Sequence, residues 1–329
     1  MAIENAKNYY QGIDVFKFMC ALLIVFMHTY CHDFGQLGKW FHQVITTIAV
    51  PFFFIVSGFF FTKGLLRNQD TKTYRDKYLK RVTLMYIFWS IITLPVSWFV
   101  VIAKGHPDYS FFMKIIYQLR LFFFTGSLGI YWYILALIYN SLIIYLVFKY
   151  KKDLLLYIVS ILLFFIGVIY NSPYNNGNFV FESIHVVFGS ERNFLNVGLL
   201  YMSIGYFFAK HELKYNSFAI LALIILAISL RTLEFKYIHT NLGQAFIAVF
   251  LFLYSLNFYK ESLKKASKTF RELSTAIYLE QFPFILLFDF YLKKGTALDF
   301  SLTIMFCLTI YYVLKKNLSK RYISIIYGS

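Results

Sequence analysis

Lys17 and His28 stand eleven residues apart in the first long apolar segment of the chain, GIDVFKFMCALLIVFMHTY. At ~100° and 1.5 Å per residue this spacing is about three helical turns, so the two side chains share one helix face, roughly 16 Å apart. A neutral imidazole held in such a segment can take a proton from a hydroxyl and return it to a leaving group. Asp14, three residues before Lys17, can pair with it. The residues alone leave a second reading open, in which His28 bonds a neighbouring carbonyl and Lys17 extends its ammonium to the headgroups. His32 lies four residues after His28, but no carboxylate or thiolate accompanies the pair in HExxH fashion, so no metal site is expected; His32 and Asp33 read as a helix cap or the lining of a vestibule. Cys20, Cys31 and Cys307 show neither ligand spacing nor disulfide pairing and read as packing residues.

The elements that must position these groups are membrane helices. Hydrophobic residues make up 59% of the 329-residue chain and charged residues 15%, with mean hydropathy +0.61, against ~25% charged residues in soluble domains. Ten apolar segments approach the length needed to cross a ~30 Å hydrocarbon core: 13–31, 44–62, 82–103, 130–148, 154–170, 194–210, 217–233, 242–259, 274–291 and 298–314. The expectation is an all-α polytopic bundle of about ten transmembrane helices, one domain over 1–329. A shorter run, 109–125, carries Lys114 and Arg120 and reads as interfacial or re-entrant.

With the N-terminus inside, 22 of the 32 lysines and arginines fall on inner segments, seven of them in 63–81. The positive-inside rule therefore puts both termini in the cytoplasm of a multi-pass plasma-membrane protein. It also accounts for the net charge of +16 through anionic lipid, with the bilayer as partner and no nucleic acid. No cleavable signal peptide is expected, because the first apolar segment is long and lacks a small-residue cleavage site.

Polar groups inside spans are the remaining clues, since each is costly in lipid. Glu280 and Gln281 lie in the ninth segment, where Glu280 calls for a cavity or a cation such as Lys17, Arg192 or Arg231. Arg231 and Glu234, three apart, read as a structural pair at a helix end. Arg192 either binds a carboxylate from outside or pairs with Glu191.

The stretch from Gly12 to His28 resembles the opening of the acyltransferase family 3 membrane proteins, in which an Asp, a basic residue three positions on and a His share this spacing. Val50-Pro51-Phe52-Phe53-Phe54-Ile55-Val56-Ser57-Gly58-Phe59 is similar to the family's Pro-Phe-Phe…Ser-Gly helix. Tyr78-Leu79-Lys80-Arg81 is similar to its basic motif, Tyr131-Trp132-Tyr133-Ile134 to its Trp-Tyr-Leu helix, and Ser274-Thr275-Ala276-Ile277-Tyr278-Leu279 to its late Ser…Ile-Tyr-Leu segment. Three sites, four residues in all, depart from the pattern. Lys17 replaces an arginine and loses its planar fork, Leu84 stands at the second arginine of the basic motif, and Glu280-Gln281 replaces Ile-His.

The resemblance implies transfer of an acyl group, acetyl in the simplest case, from acyl-CoA to a hydroxyl or amine of a cell-surface glycan or envelope precursor, with no metal. His28 would be the catalytic base, assisted by Asp14 and Lys17. Lys17, Lys77, Lys80 and Arg81 would hold the donor's phosphates. Trp132, Arg192, Asn193, Glu280 and Gln281 would face the substrate. Arg192-Asn193 also resembles a pair in the membrane half of VanT-type serine racemases, which implies an alternative, a transporter or flippase for serine or a glycan intermediate. A homo-oligomer remains open.

Overall fold

The computed structural model describes residues 10–29, 35–99, 108–170, 193–211, 213, 215–237, 242–291 and 297–327. Among them the regular elements are all helical. In chain order they are α1 (Gln11–Thr29), α2 (Gly35–Arg67), α3 (Thr71–Ile92), α4 (Phe111–Arg120), α5 (Trp132–Tyr150), α6 (Asp153–Tyr170), α7 (Leu199–Lys210), α8 (Ser217–Tyr237), α9 (Leu242–Asn257), α10 (Ser267–Tyr291), α11 (Ala297–Asn317) and α12 (Lys320–Tyr327). Among the described residues each of the ten apolar segments overlaps a helix, although 82–103 lies on α3 only as far as Ile92. Among the described residues five helices, α1, α2, α5, α8 and α11, are long and apolar enough to cross a membrane, while α6 and α9 supply shorter apolar stretches. The interfacial run forms the ten-residue α4 and one π turn, Leu121–Thr125. That is about 22 Å, short of a full crossing.

Helix α2 is the centre of the bundle. Its most apolar window is 78% buried, against 22% for α8 and for α11, which turn residues such as Phe218 and Met305 outward. Small residues let a neighbour approach it closely. A Cβ on Gly58 would lie 2.2 Å from the Met202 carbonyl oxygen, and one on Gly205 2.1 Å from that of Ile55, so α2 and α7 pack backbone against backbone as membrane helices do.

Two boundaries differ from the sequence reading in ways that matter for the site. Helix α3 begins at Thr71, where Asp70 accepts from the Thr73 N–H at 3.0 Å, so the basic stretch is a helix with only 68–70 as its turn. It ends at Ile92, and after Thr93 a separate helical turn, Leu94–Val96, starts with Pro95 near its N-terminus, a position where proline is tolerated. Helix α10 begins at Ser267, seven residues before the expected 274. The extra turns carry Ser267 and Arg271 on the face that continues through Ser274 and Tyr278.

Candidate functional site

Helices α1 and α10 lie side by side and run parallel. Near their starts Asp14 meets Arg271, and near the end of α1 His28 meets Phe282 edge to face, with ring centroids 5.9 Å apart. Asp14 is buried and accepts two bonds from the Arg271 guanidinium, Nε at 2.8 Å and Nη2 at 2.7 Å, and one from Ser267 Oγ at 2.7 Å. The expected Asp14–Lys17 pair is thus corrected to Asp14–Arg271. The reason is geometric: a planar fork satisfies both carboxylate oxygens at once, which a lysine ammonium cannot do. Lys17 makes no hydrogen bond or ion pair with a described residue, although Asp14 and Arg271 both lie within electrostatic reach.

Lys17 instead lines a cavity of about 210 Å³ with Arg81, Ser57, Tyr78, Tyr133 and Tyr278. On α3, residues Tyr78, Arg81, Val82 and Met85 form the stripe that faces this space, with the spacing of one helix face. Arg81 lies 5.6 Å from the Tyr78 ring centroid. Lys80 falls off the stripe and Lys77 stands a turn beyond it; both are exposed and neither lines the cavity. Of the four basic residues expected to hold a donor, the structure brings Lys17 and Arg81 together. Leu84 is exposed as well, off the same stripe.

His28 opens into a second, larger cavity of about 340 Å³, bordered by Trp132, Asn196, Tyr201, Gln244 and Tyr278. Irregular backbone shapes its wall. A π turn at Phe41–Ile45 and a 3-10 turn at Thr46–Ile48 bring Thr46 and Thr47 to the edge. Their hydroxyls bond back to His42 and Gln43 carbonyls at 2.7 and 2.9 Å. Another π turn, Phe194–Gly198, carries Asn196 there; such turns recur at functional sites. Gln244 is fixed by donating from Nε2 to the Thr47 carbonyl at 2.6 Å. Among the described residues this lining contains no Asp, Glu, Lys or Arg.

Tyr278 lines both cavities. Its hydroxyl donates to the Ile130 carbonyl, and its ring packs at 5.4 Å against Tyr133, whose hydroxyl is 2.8 Å from Ser57 Oγ. Tyr278, backed by Tyr133, therefore stands where the two spaces adjoin.

The remaining expected site residues divide. Trp132 lines the His28 cavity and packs at 5.4 Å on Phe54. Asn193 accepts through Oδ1 from the Leu195 and Asn196 N–H groups at 3.0 and 2.9 Å, capping the π turn; Asn196, three residues on, reaches the cavity instead. Arg192, His32, Asp33 and Cys31 lie outside the described residues. Glu280 and Gln281, expected to bind substrate, line neither cavity. Glu280 pairs with neither Lys17 nor Arg231, the two expected cations among the described residues, and accepts from the Tyr327 hydroxyl, because α12 folds back against α10. Arg231 pairs with Glu234 at 2.9 Å as expected, and also donates to the Gln43 carbonyl.

Arg271, Ser267, Asn196, Gln244 and Tyr327 are the positions sequence reasoning missed. Asn196 and Gln244 carried a usable signal, being amides inside apolar segments. Arg271 was hidden among the topogenic charges, 257 positions from its partner.

Comparison with known proteins follows the same lines. The chain is 31% identical over 170 residues to an amino-acid racemase of Enterococcus faecalis, 50% of this chain and 22% of that protein. It is 28% identical over 149 residues, 44% of this chain and 20% of the relative, to another amino-acid racemase of the same organism. The matched stretch thus spans about a fifth of those relatives' length. No solved structure matches. A family model described as an acyltransferase domain matches residues 10–316, from the start of α1 to the end of α11, and the chain belongs to this acyltransferase-3 family.

Proposed function

We propose that this chain is an integral-membrane acyltransferase that moves an acyl group, acetyl in the simplest case, from acyl-CoA to a hydroxyl of a glycan or other envelope precursor. One observation carries the reading: Lys17 and His28, on one face of α1, open into two different cavities, and Tyr278 lines both. The first cavity suits an anionic donor. Lys17 and Arg81 offer two cations at the edge of low-dielectric surroundings, where attraction for a phosphate exceeds its value in water. At about 210 Å³ the space is below the ~300–1,000 Å³ of a pocket that swallows a whole drug-sized ligand. It admits the uncharged thioester arm, with the donor's diphosphate met by Lys17 and Arg81 and the nucleoside left outside.

The second cavity suits an uncharged, hydroxyl-bearing acceptor. Asn196, Gln244 and Tyr201 provide hydrogen-bonding groups, Trp132 an apolar face and His28 the base. His28 deprotonates the acceptor hydroxyl as its oxygen bonds to the acyl carbon. The basic end, with Lys17, lies at the cytoplasm and the His28 end opposite, in the plasma membrane; the placement of 22 of 32 basic residues supports this.

The test is His28→Ala in a protein shown to fold, assayed for labelled acetate in the envelope. Loss of label is expected, and undiminished incorporation rejects an enzymatic role for His28. A second reading has its own support in the racemase relatives: a transporter of serine or a related amino acid. Labelled serine uptake into proteoliposomes that is lost in Arg192→Ala would favour it.

A further inference from the structure

Glu280 is an ionisable side chain in the body of α10 that neither cavity exposes. It is 2% accessible. One carboxyl oxygen, Oε1, accepts from the Tyr327 hydroxyl, and the other, Oε2, has no hydrogen-bond partner among the described residues. The titratable groups facing it are Tyr131 at the N-cap of α5, Cys307 from α11 and Tyr327 from α12. No lysine, arginine or histidine among the described residues pairs with it. A lone carboxylate in such a place is costly, and groups of this kind mark proton traffic in membrane proteins.

Tyr327 gives the carboxyl an outlet. It lines the Lys17 cavity, and its position is fixed from two sides. Trp89 Nε1 donates to the Ile326 carbonyl at 2.8 Å, and the Tyr311 ring packs against Tyr327 at 5.6 Å. A carboxyl and a phenol joined by one hydrogen bond have two arrangements. With Glu280 ionised, the phenol donates to the carboxylate; with Glu280 protonated, the acid donates to the phenol oxygen and the phenol hydrogen is free to turn into the cavity.

We propose that Glu280 and Tyr327 form a proton relay that protonates the departing thiol when a thioester is cleaved in the Lys17 cavity. The proposal rests on the acyltransferase reading. As the acyl carbon bonds to its acceptor oxygen, the carbon–sulfur bond breaks and its electron pair stays on sulfur. The Tyr327 hydroxyl hydrogen passes to sulfur as a proton, and the acid proton of Glu280 passes to the phenol oxygen. After the thiol leaves, water in the cavity returns a proton to Glu280 through the same phenol. The acceptor's own proton goes to His28, so each transfer takes up one proton on the Lys17 side and releases one on the His28 side.

The experiment compares two donors in the full-length chain reconstituted in lipid: acetyl-CoA and an acetyl thioester of an acidic aromatic thiol, whose thiolate leaves without a proton. Glu280→Gln keeps the shape and removes the acid. It is expected to slow acetyl-CoA cleavage by about a hundredfold, the usual scale of general acid catalysis, with the acetyl-CoA KM and the aromatic thioester rate unchanged. Tyr327→Phe repeats this pattern, and the double variant is no slower than either single one. If Glu280→Gln cleaves acetyl-CoA at the wild-type rate, or loses both donors equally, the relay is overturned while the acyltransferase reading stands. A wild-type chain that cleaves neither donor overturns both.

Discussion

The Lys17 cavity carries two cations in about 210 Å³, whereas the His28 cavity, at about 340 Å³, is lined by amides, hydroxyls and aromatic rings with no Asp, Glu, Lys or Arg among the described residues. The two share Tyr278. Asp14, the carboxylate nearest Lys17 in sequence, is already satisfied by Arg271 and Ser267. The positive charge at the first cavity is therefore left for a ligand, while the second recognises its ligand by hydrogen bonds and shape. On the acyltransferase reading proposed above, charge would select the anionic donor at one end and hydroxyl geometry the neutral acceptor at the other.

The largest expected effect comes from breaking the chemistry on the neutral side alone. His28→Ala should lower acyl transfer by about 10²–10⁴, the range for a general base, and leave the affinity for acyl-CoA unchanged in equilibrium titration. A matching loss of donor affinity would mean that the two cavities do not act separately. On the charged side, Lys17→Ala should weaken donor binding about tenfold, or about 1.4 kcal/mol, and flatten its dependence on ionic strength. Lys17→Arg should keep the affinity, because the charge remains. An ionic-strength profile unchanged in Lys17→Ala would assign the anion to Arg81 alone.

Arg271→Ala tests why Lys17 is free. Asp14 would keep only the Ser267 bond and turn its charge toward Lys17, so donor affinity should fall severalfold without any change at the cavity wall. The stability loss should be about 1 kcal/mol in thermal unfolding. This is below the ~3–5 kcal/mol of a fully buried broken pair because the Arg271 side chain is 51% exposed and partly screened by solvent. Arg271→Lys should recover part of the stability, as a single ammonium can meet one oxygen but not both.

The helical architecture was legible in the chain because lipid tolerates few backbone solutions; among the described residues the regular elements are all helical, and five helices are long and apolar enough to span. The Lys17–His28 face was legible for the same reason, since periodicity places residues within one helix. What periodicity cannot give is the partner across the bundle. Asp14 has a lysine three residues away in sequence, and the structure chose an arginine 257 positions on because α10 starts early enough to bring Arg271 and Ser267 alongside. Glu280 was recognised as an expensive residue, yet its partner Tyr327 belongs to a short amphipathic helix outside the apolar segments. The basic stretch 63–81 carried no structural signal beyond its inside placement, because topogenic charge looks alike in loop and helix; its helical form decides that Arg81, and not Lys80, reaches the cavity.

The smallest effect, and the finest test of the neutral side, concerns Gln244. Its Nε2 is committed to the Thr47 carbonyl at 2.6 Å, and its Oε1 bonds no described residue, which leaves one acceptor fixed in direction at the cavity wall. A substrate hydroxyl donating to it gains a bond worth about 1 kcal/mol net. Gln244→Leu should therefore raise the acceptor KM severalfold while the donor KM and the dependence on ionic strength stay at wild-type values. Gln244→Glu should be worse than the leucine variant for acceptor binding, because a carboxylate cannot donate to the Thr47 carbonyl and would turn away from it. If instead the glutamate variant bound its acceptor more tightly, the acceptor would carry a positive charge, and the ligand of the His28 cavity would be an amine or an amino acid and not a neutral polyol.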